Sequence, residues 1–291
     1  MASTVIAPRA RSVGDVSPSI SPLMSADELA GRLDEPGIVV CDVRWYLTDP
    51  YRGRREYDVA HIPGAVFVDL HTELAGTVGG GRHPLPTTYE FAAHLSRLGI
   101  ARDDAVVAYD SAGGAVASRL WWMLRSIGHA QVLVLDGGYQ AWEQAGQPTT
   151  DIAIARVPSG YPVVDGWSGV VDADDVADLV DGGTTLIDAR AADRFRGESE
   201  PIDPKAGHIP GAINRPHLDN LDADGRHRSA SELAERFADV GPASIVYCGS
   251  GVTACHDLLA MTIAGITDAR LYAGSWSDWS SQPDRPVATG G

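Results

Sequence analysis

The sequence has little cysteine and little positive charge. Its 291 residues include only three cysteines, and 23 lysines and arginines stand against 39 aspartates and glutamates, a formal charge of -16. Three cysteines form neither an even set nor the paired doublets of a zinc site, which argues against a disulfide scaffold or a metal and favours a reducing, cytoplasmic compartment. The negative charge repels phosphate groups and argues against nucleic acids or anionic membranes as partners.

Long apolar runs are also missing. No stretch approaches the roughly 18 apolar residues that a membrane helix needs, and residues 1–20 lack the continuous hydrophobic segment of a secretion signal. With 44% hydrophobic and 21% charged residues, the composition is typical of a globular protein. Because one domain usually takes about 150 residues, we expect two domains after a loose tail over residues 1–20.

The chain contains an internal repeat. The motif HIPGA begins at His61 and again at His208, and VVAYD ends at Asp110 where SIVYC ends at Cys248. The offset between the copies falls from 147 residues at the histidines to 138 at the later pair. The second copy is therefore about nine residues shorter, and the first copy has the Gly-rich stretch GTVGGGRHPLP there.

Short β-branched runs alternate with helical patterns in both copies. GIVVCDV, DAVVAYD and AQVLVLD in the first copy, and TTLIDAR, ASIVYC and ARLYAG in the second, are typical of strands buried on both faces. SADELAGRLD and SASELAERFADV have the capping starts and apolar spacing of amphipathic helices. The sequence thus predicts an α/β fold with a parallel sheet flanked by helices in each of two domains, 21–150 and 169–291, joined by a Pro- and Gly-containing linker over 151–168.

The candidate catalytic residue is Cys248. The predicted strand over residues 244–247 runs directly into the loop CGSGVT, which a helical segment follows. Unpaired N–H groups and the helix dipole favour an anion at such a junction and should lower the pKa of a thiol there. Gly249 and Gly251 let the loop curl so that its N–H groups, with the Ser250 and Thr253 hydroxyls, converge on a thiolate or on the outer sulfur of a persulfide.

The other cysteines and the first copy supply contrasts. Asp110 stands where the second copy has Cys248, and an aspartate cannot act as a sulfur nucleophile. We therefore expect an inactive first domain that closes one side of a single site. Cys41, in the middle of a strand, and Cys255, two helical turns beyond Cys248, are interpreted as packing residues, with a redox role for Cys255 left open.

The segment VYCGSGVTACHDLLA resembles the active-site loop of the rhodanese superfamily, and CGSGVT is similar to its 3-mercaptopyruvate sulfurtransferase branch. The resemblance extends over about residues 22–288 in the order of tandem-domain sulfurtransferases. It implies two tandem rhodanese-like domains, the second catalytic, and no cofactor. It also implies that Cys248 takes a sulfane sulfur from a small donor as a persulfide. That sulfur then passes to cyanide or to a thiol acceptor, such as thioredoxin or a low-molecular-weight thiol.

The resemblance also implies substrate-binding residues. Thiosulfate-specific relatives carry a CRKGVT loop, whose two cations suit a dianion, whereas this loop has Gly249 and Ser250. 3-Mercaptopyruvate is therefore the implied donor, with thiosulfate as the alternative. A family arginine that holds the donor's carboxylate corresponds to Arg194, and Lys205 stands near the place of a second one. The loop residues implied to contact the substrate are Gly249, Gly251, Val252 and Thr253.

Some relatives are proposed to use a relay of a hydroxyl, a histidine and a carboxylate. Here Ser250 would supply the hydroxyl and His83 the imidazole. His71 stands at the carboxylate position, with Asp69 two residues before it. A simpler scheme, in which Ser250 only donates a hydrogen bond, stays open.

Two further interpretations compete with small-molecule sulfur transfer. Phosphatases related to rhodaneses hold phosphate with an arginine six residues after the cysteine, but that position is Ala254 here. A sulfur carrier that is loaded by a desulfurase partner would keep the Cys248 loop unchanged. Comparing the two donors with cyanide as the acceptor separates these hypotheses.

Overall fold

The computed structural model describes residues 21–291, so the tail predicted for residues 1–20 lies outside the described residues. In the first copy, strands and helices follow one another as β1 Leu23–Met24, α1 Ala26–Ala30, β2 Ile38–Asp42, α2 Arg52–Val59, β3 Val66–Phe67, α3 Thr88–Arg97, β4 Ala105–Tyr109, α4 Ala117–Ser126, β5 Val132–Leu135 and α5 Gly138–Gln144.

The second copy repeats this order. Its elements are β6 Val170–Val171, α6 Ala173–Asp181, β7 Leu186–Asp188, α7 Ala192–Phe195, β8 Ala212–Asn214, a 3-10 turn His217–Asn220, α8 Ala230–Arg236, β9 Ile245–Tyr247, α9 Ala254–Ile263, β10 Arg270–Tyr272 and α10 Ser275–Ser281.

Each copy forms one five-stranded sheet. The strand order is β1-β5-β4-β2-β3 in the first and β6-β10-β9-β7-β8 in the second, and the paired strands run parallel. The two sheets have the same topology, which confirms the predicted α/β fold of two parallel sheets flanked by helices. β4 and β9 lie in the middle of their sheets, so the segments that follow them occupy equivalent positions.

Local sequence explains these elements. Every residue of β2 and β4 is buried, as expected of parallel strands covered by helices on both faces. Four helices begin with a capping box, in which the N-cap side chain and the third helical residue satisfy each other's backbone N–H groups. The N-cap residues are Ser25, Thr87, Asp172 and Ser229.

One hydrophobic core spans the two copies, and each copy has a smaller core of its own. The largest cluster of buried side chains contains Leu120 and Met123 of α4 together with Leu259 and Met261 of α9, and these two helices pack against each other. The segment 151–168, predicted as the linker, contains no helix or strand. It packs on the first copy through Trp167, whose Nε1 donates to the Pro86 carbonyl at 2.8 Å. Interfaces this apolar hold domains in a fixed relation.

Within residues 21–291, no helix has both the length and the apolar character needed to cross a membrane.

Candidate active site

Cys248 directly follows β9, at the carboxyl end of the second sheet. This is the edge at which open parallel sheets bind their ligands. The residue is 1% exposed. Its backbone N–H donates to Ser275 Oγ at 3.1 Å, and its carbonyl accepts the Trp276 N–H at 2.9 Å, so the start of α10 fixes the backbone that carries the thiol.

Two glycines allow the loop to curl tightly around Cys248. Gly251 has φ +74, and a Cβ there would lie 2.4 Å from the Ala273 carbonyl oxygen. A Cβ on Gly249 would lie 3.0 Å from Arg82 Nη2. Within residues 21–291, the backbone N–H groups of residues 249–254 have no hydrogen-bond acceptor. These groups are therefore available to an anionic sulfur on Cys248.

The corresponding loop of the first copy holds its own anion. The Asp110 carboxylate accepts hydrogen bonds from the backbone N–H groups of Ala112 at 2.7 Å, Gly114 at 2.9 Å, Val116 at 2.7 Å and Ala117 at 2.9 Å. These four N–H groups are therefore already paired with a carboxylate of the same loop. The arrangement supports the expectation that the first copy is inactive.

A cavity of about 440 Å³ opens in front of Cys248, and both copies line it. The first copy contributes Trp45, Tyr46, Leu47, Thr48, Arg82, His83, Ala112, Ala115 and Val116, and the second contributes Arg190, Ala191, Arg194, Ile202, His217, Cys248, Gly249, Ser250, Val252 and Thr253. Of the predicted substrate-binding loop residues, only Gly251 is not at the cavity wall. The first copy therefore forms one wall of this cavity.

Arg194 lies at the cavity wall beside the loop of Cys248. Its Nη2 pairs with Glu200 at 2.6 Å and with Asp203 at 3.2 Å, and its Nη1 would lie 3.6 Å from a Cβ on Gly249. Burial raises the pKa of Glu200, but the hydrogen bond and the charge of Arg194, together with the backbone N–H groups of Asp203 and Ile202, outweigh burial and lower the pKa. Asp203 is different, because burial raises its pKa in spite of the neighbouring arginine charges.

Two of the predicted site residues lie elsewhere. Lys205 points away from the cavity, because its Nζ donates to the carbonyl oxygens of Gln282 at 2.8 Å and Pro283 at 3.4 Å. Asp69 closes its own turn by accepting the N–H groups of His71 at 2.8 Å and Thr72 at 3.0 Å. Both residues lie close in the sequence to the positions that the resemblance implies, but neither side chain lines the cavity.

Ser250 and His83 form a hydrogen-bonded pair across the two copies, with 2.8 Å between Oγ and Nδ1. The His83 ring packs beside His71 and Trp45, with ring centroids 5.3 Å and 5.5 Å away. Burial lowers the pKa of His83 to about 3, and the charges of His71 and Arg119 add to this effect. The imidazole is therefore neutral, and among residues 21–291 no carboxylate hydrogen-bonds to this pair.

Arg119, on α4 of the first copy, is a buried residue that holds the Cys248 loop and was not predicted from the sequence. It is fully buried, and its guanidinium donates to the Gly251 carbonyl at 2.9 Å and to the His83 carbonyl at 3.0 Å. Burial lowers its pKa, and the nearby Cys255 and Cys248 sulfurs oppose that shift. An arginine within the otherwise apolar run ASRLWWML was the available signal.

The remaining cysteines are buried thiols. Burial raises the pKa of Cys41 to about 12 and that of Cys255 to about 12. The Cys255 thiol lies 3.4 Å from the Gly251 carbonyl oxygen, to which it donates. Protonated and buried thiols of this kind react poorly, which agrees with a packing role for both.

Known proteins share this architecture. A family model described as a rhodanese-like domain matches residues 25–145 and 172–282. The chain belongs to the rhodanese family. A probable 3-mercaptopyruvate sulfurtransferase of Pseudomonas aeruginosa is 46% identical to this rhodanese over 282 residues, 94% of this chain and 99% of that protein. A putative thiosulfate sulfurtransferase, SseB, of Mycobacterium tuberculosis is 42% identical over 92% of this chain and 97% of its own length.

Solved structures agree with this assignment. The 3-mercaptopyruvate sulfurtransferase SseA of Escherichia coli superposes with a TM-score of 0.79 at 33% identity, over 89% of this rhodanese and 100% of that chain. The Leishmania major 3-mercaptopyruvate sulfurtransferase gives 0.81 at 30% identity, over 93% and 78%. The predicted family and the prediction of a sulfurtransferase enzyme are confirmed.

Proposed function

We propose that this rhodanese moves a sulfane sulfur from 3-mercaptopyruvate, through a persulfide on Cys248, to a thiol acceptor. One observation carries the proposal. Within residues 21–291, the loop of Cys248 has free backbone N–H groups, and the Arg194 guanidinium lies beside Gly249 at the wall of the same cavity, which is large enough for a small α-keto acid. Arg194 pairs with Glu200 and Asp203 through Nε and Nη2, and within the described residues its Nη1 has no partner. Nη1 would therefore donate a charge-assisted hydrogen bond to the donor's carboxylate beside the sulfur nucleophile.

In the first step, the Cys248 thiolate attacks the donor's sulfur. A sulfur–sulfur bond forms as the carbon–sulfur bond breaks, and the bonding electron pair leaves with the carbon as the enolate of pyruvate. The enolate takes up one proton to give pyruvate. Negative charge develops on the donor's carbonyl oxygen, where the hydroxyl of Ser250 and the loop N–H groups would stabilise it.

In the second step, an acceptor thiolate attacks the outer sulfur of the persulfide. The sulfur–sulfur bond to Cys248 breaks, the acceptor becomes the persulfide, and Cys248 returns as the thiolate. The neutral His83 orients the Ser250 hydroxyl, so this scheme uses a hydroxyl–histidine pair without the carboxylate of a full relay.

The acceptor and compartment follow from the same chemistry. The reaction consumes reduced thiol, and the three cysteines of this chain are all free and buried. A reducing, cytoplasmic location with thioredoxin or a low-molecular-weight thiol as the acceptor fits both facts.

Thiosulfate is the second candidate donor, and one observation favours it. Although the loop itself carries no cation, Arg82 and Arg194 both lie against Gly249, so positive charge reaches this point from outside the loop. A sulfur carrier loaded by a partner protein would not need the cavity or its arginines.

The test is to measure kcat/KM for both donors with cyanide as the acceptor. We expect 3-mercaptopyruvate to be preferred, and Arg194→Ala to lower its kcat/KM by roughly ten- to a hundredfold, the value of one charge-assisted hydrogen bond. Arg196→Ala is the matched control, because Arg196 is an exposed arginine two residues away that pairs with Glu198. A wild-type preference for thiosulfate, or no transfer from either donor, would refute the proposal.

A further inference from the structure

The Gly-rich stretch of the first copy contacts the second copy at the edge of the active site. A Cβ on Gly81 would lie 2.4 Å from the Gly274 carbonyl oxygen, and one on Gly80 would overlap the Asp278 carboxylate. The next residue, Arg82, donates its backbone N–H to Ser277 Oγ at 3.0 Å. Only glycines permit so close an approach to α10. The stretch that the second copy lacks therefore delivers the Arg82 side chain to the cavity.

The Arg82 guanidinium shares a carboxylate with Arg194. Asp203 contacts Arg82 Nη1 through one oxygen and Arg194 Nη2 through the other at 3.2 Å. The Asp203 side chain is 3% exposed. Within the described residues, Arg82 Nε is buried without a hydrogen-bond partner. The two guanidiniums thus have donors to spare, while one buried carboxylate holds them together.

The charges at this point almost cancel. Arg82 and Arg194 face Asp203 and Glu200. A third cavity arginine, Arg190, pairs with Asp188 at 2.6 Å and with Glu200 at 3.3 Å, so three arginines stand against three carboxylates. A monoanion binds to such a group through directed hydrogen bonds alone. A dianion needs net positive charge to repay the loss of its hydration.

We propose that Arg82 and Asp203 set the charge selectivity of the donor site. Arg82 is a donor-binding residue supplied by the first copy, and Asp203 offsets its charge, which favours a monoanionic donor over a dianionic one. This inference rests on the proposed function, because it concerns how the same cavity chooses its sulfur donor.

The experiment measures kcat/KM for 3-mercaptopyruvate and for thiosulfate in wild type, Asp203→Asn and Arg82→Met, with cyanide as the acceptor. The readout is the ratio of the two values within each preparation, so a loss of folded enzyme cancels. We expect Asp203→Asn to shift the ratio toward thiosulfate by roughly tenfold or more, and Arg82→Met to shift it the other way by a similar factor, mainly through KM.

Two controls separate a selectivity role from a structural one. Arg97→Met removes an exposed arginine of the first copy that pairs with Glu73, and the ratio should not move. Asp203→Glu should restore the wild-type ratio. If the ratio is unchanged in both Asp203→Asn and Arg82→Met while the melting temperature falls, the ion pair between Arg82 and Asp203 only stabilises the fold. That result would overturn the inference. No sulfur transfer by the wild type from either donor would instead refute the proposed function.

Discussion

The loops after β4 and β9 occupy the same place in two sheets of the same strand order, and they differ in the anion that each can hold. In the first copy, Asp110 satisfies four backbone N–H groups with its own carboxylate. In the second copy, which has Cys248 at this position, the backbone N–H groups of residues 249–254 have no acceptor among the described residues. The comparison teaches that one strand–loop–helix scaffold can act as a self-contained structural element or as a reactive site. The choice depends on whether the central side chain fills the cradle.

The largest expected effect comes from replacing Cys248, the reactive residue of the second loop. Cys248→Ser should lower sulfur transfer by at least about a thousandfold, because a hydroxyl neither attacks sulfur well nor stores it as a persulfide. The melting temperature should stay near the wild-type value. Mass spectrometry after exposure to the donor should find one added sulfur atom on wild type and none on the variant.

Cys255→Ser is the control for that variant, and its turnover with freshly reduced enzyme should be nearly unaltered. A large loss with Cys255→Ser, or retained transfer with Cys248→Ser, would contradict the assignment of the nucleophile.

Replacing Asp110, the residue that fills the first loop, should lower the stability of the protein. Asp110→Ala leaves four N–H groups without their acceptor, and we expect the free energy of unfolding to fall by about 3–5 kcal/mol. Urea unfolding measures this change. Asp103→Ala, at an exposed aspartate just before β4, should change stability by no more than about 0.5 kcal/mol. Equal effects of the two substitutions would show that the filled cradle contributes nothing.

The smallest expected effect concerns His83, which joins the two copies at Ser250. Its pKa is about 3 in the folded protein and about 6.5 in an unfolded chain. The unfolded state therefore binds more protons between these values, and the stabilising contribution present above pH 6.5 is lost as the pH falls toward 3. His83→Gln should reduce the acid slope of stability between pH 6.5 and 5, by up to about 1.4 kcal/mol per pH unit.

Urea unfolding of both proteins at several pH values tests this expectation. Identical slopes would mean that His83 is protonated in the native protein. The same neutral imidazole implies that kcat/KM carries no His83 titration between pH 5 and 8.

Sequence reasoning went furthest where the chemistry is contiguous in the chain. The repeat predicted two sheets of equal topology, and the strand-to-helix junction at Cys248 predicted where the loop lies. Arg82 and Arg119 escaped it because they reach the site from the first copy, through contacts between residues far apart in the sequence. The Gly-rich stretch precedes Arg82, and Arg119 is the single arginine of a mostly apolar run. Neither pattern predicts which residue of the second copy the arginine contacts. Lys205 shows the opposite case, since a residue close to the motif in the sequence can direct its side chain away from the cavity.

The free N–H groups around Cys248 bear on how strongly the stored sulfur can be donated. In the proposed cycle, a persulfide anion on Cys248 would accept hydrogen bonds from this loop as the Asp110 carboxylate does from its counterpart, so the loaded enzyme would gain interactions that the discharged enzyme lacks. Every interaction that stabilises the loaded state lowers the free energy released when the sulfur leaves. The strength of the cradle thus sets the sulfur-transfer potential of the persulfide. A loop that bound its sulfur as firmly as the first copy binds the Asp110 carboxylate would store sulfur but donate it poorly.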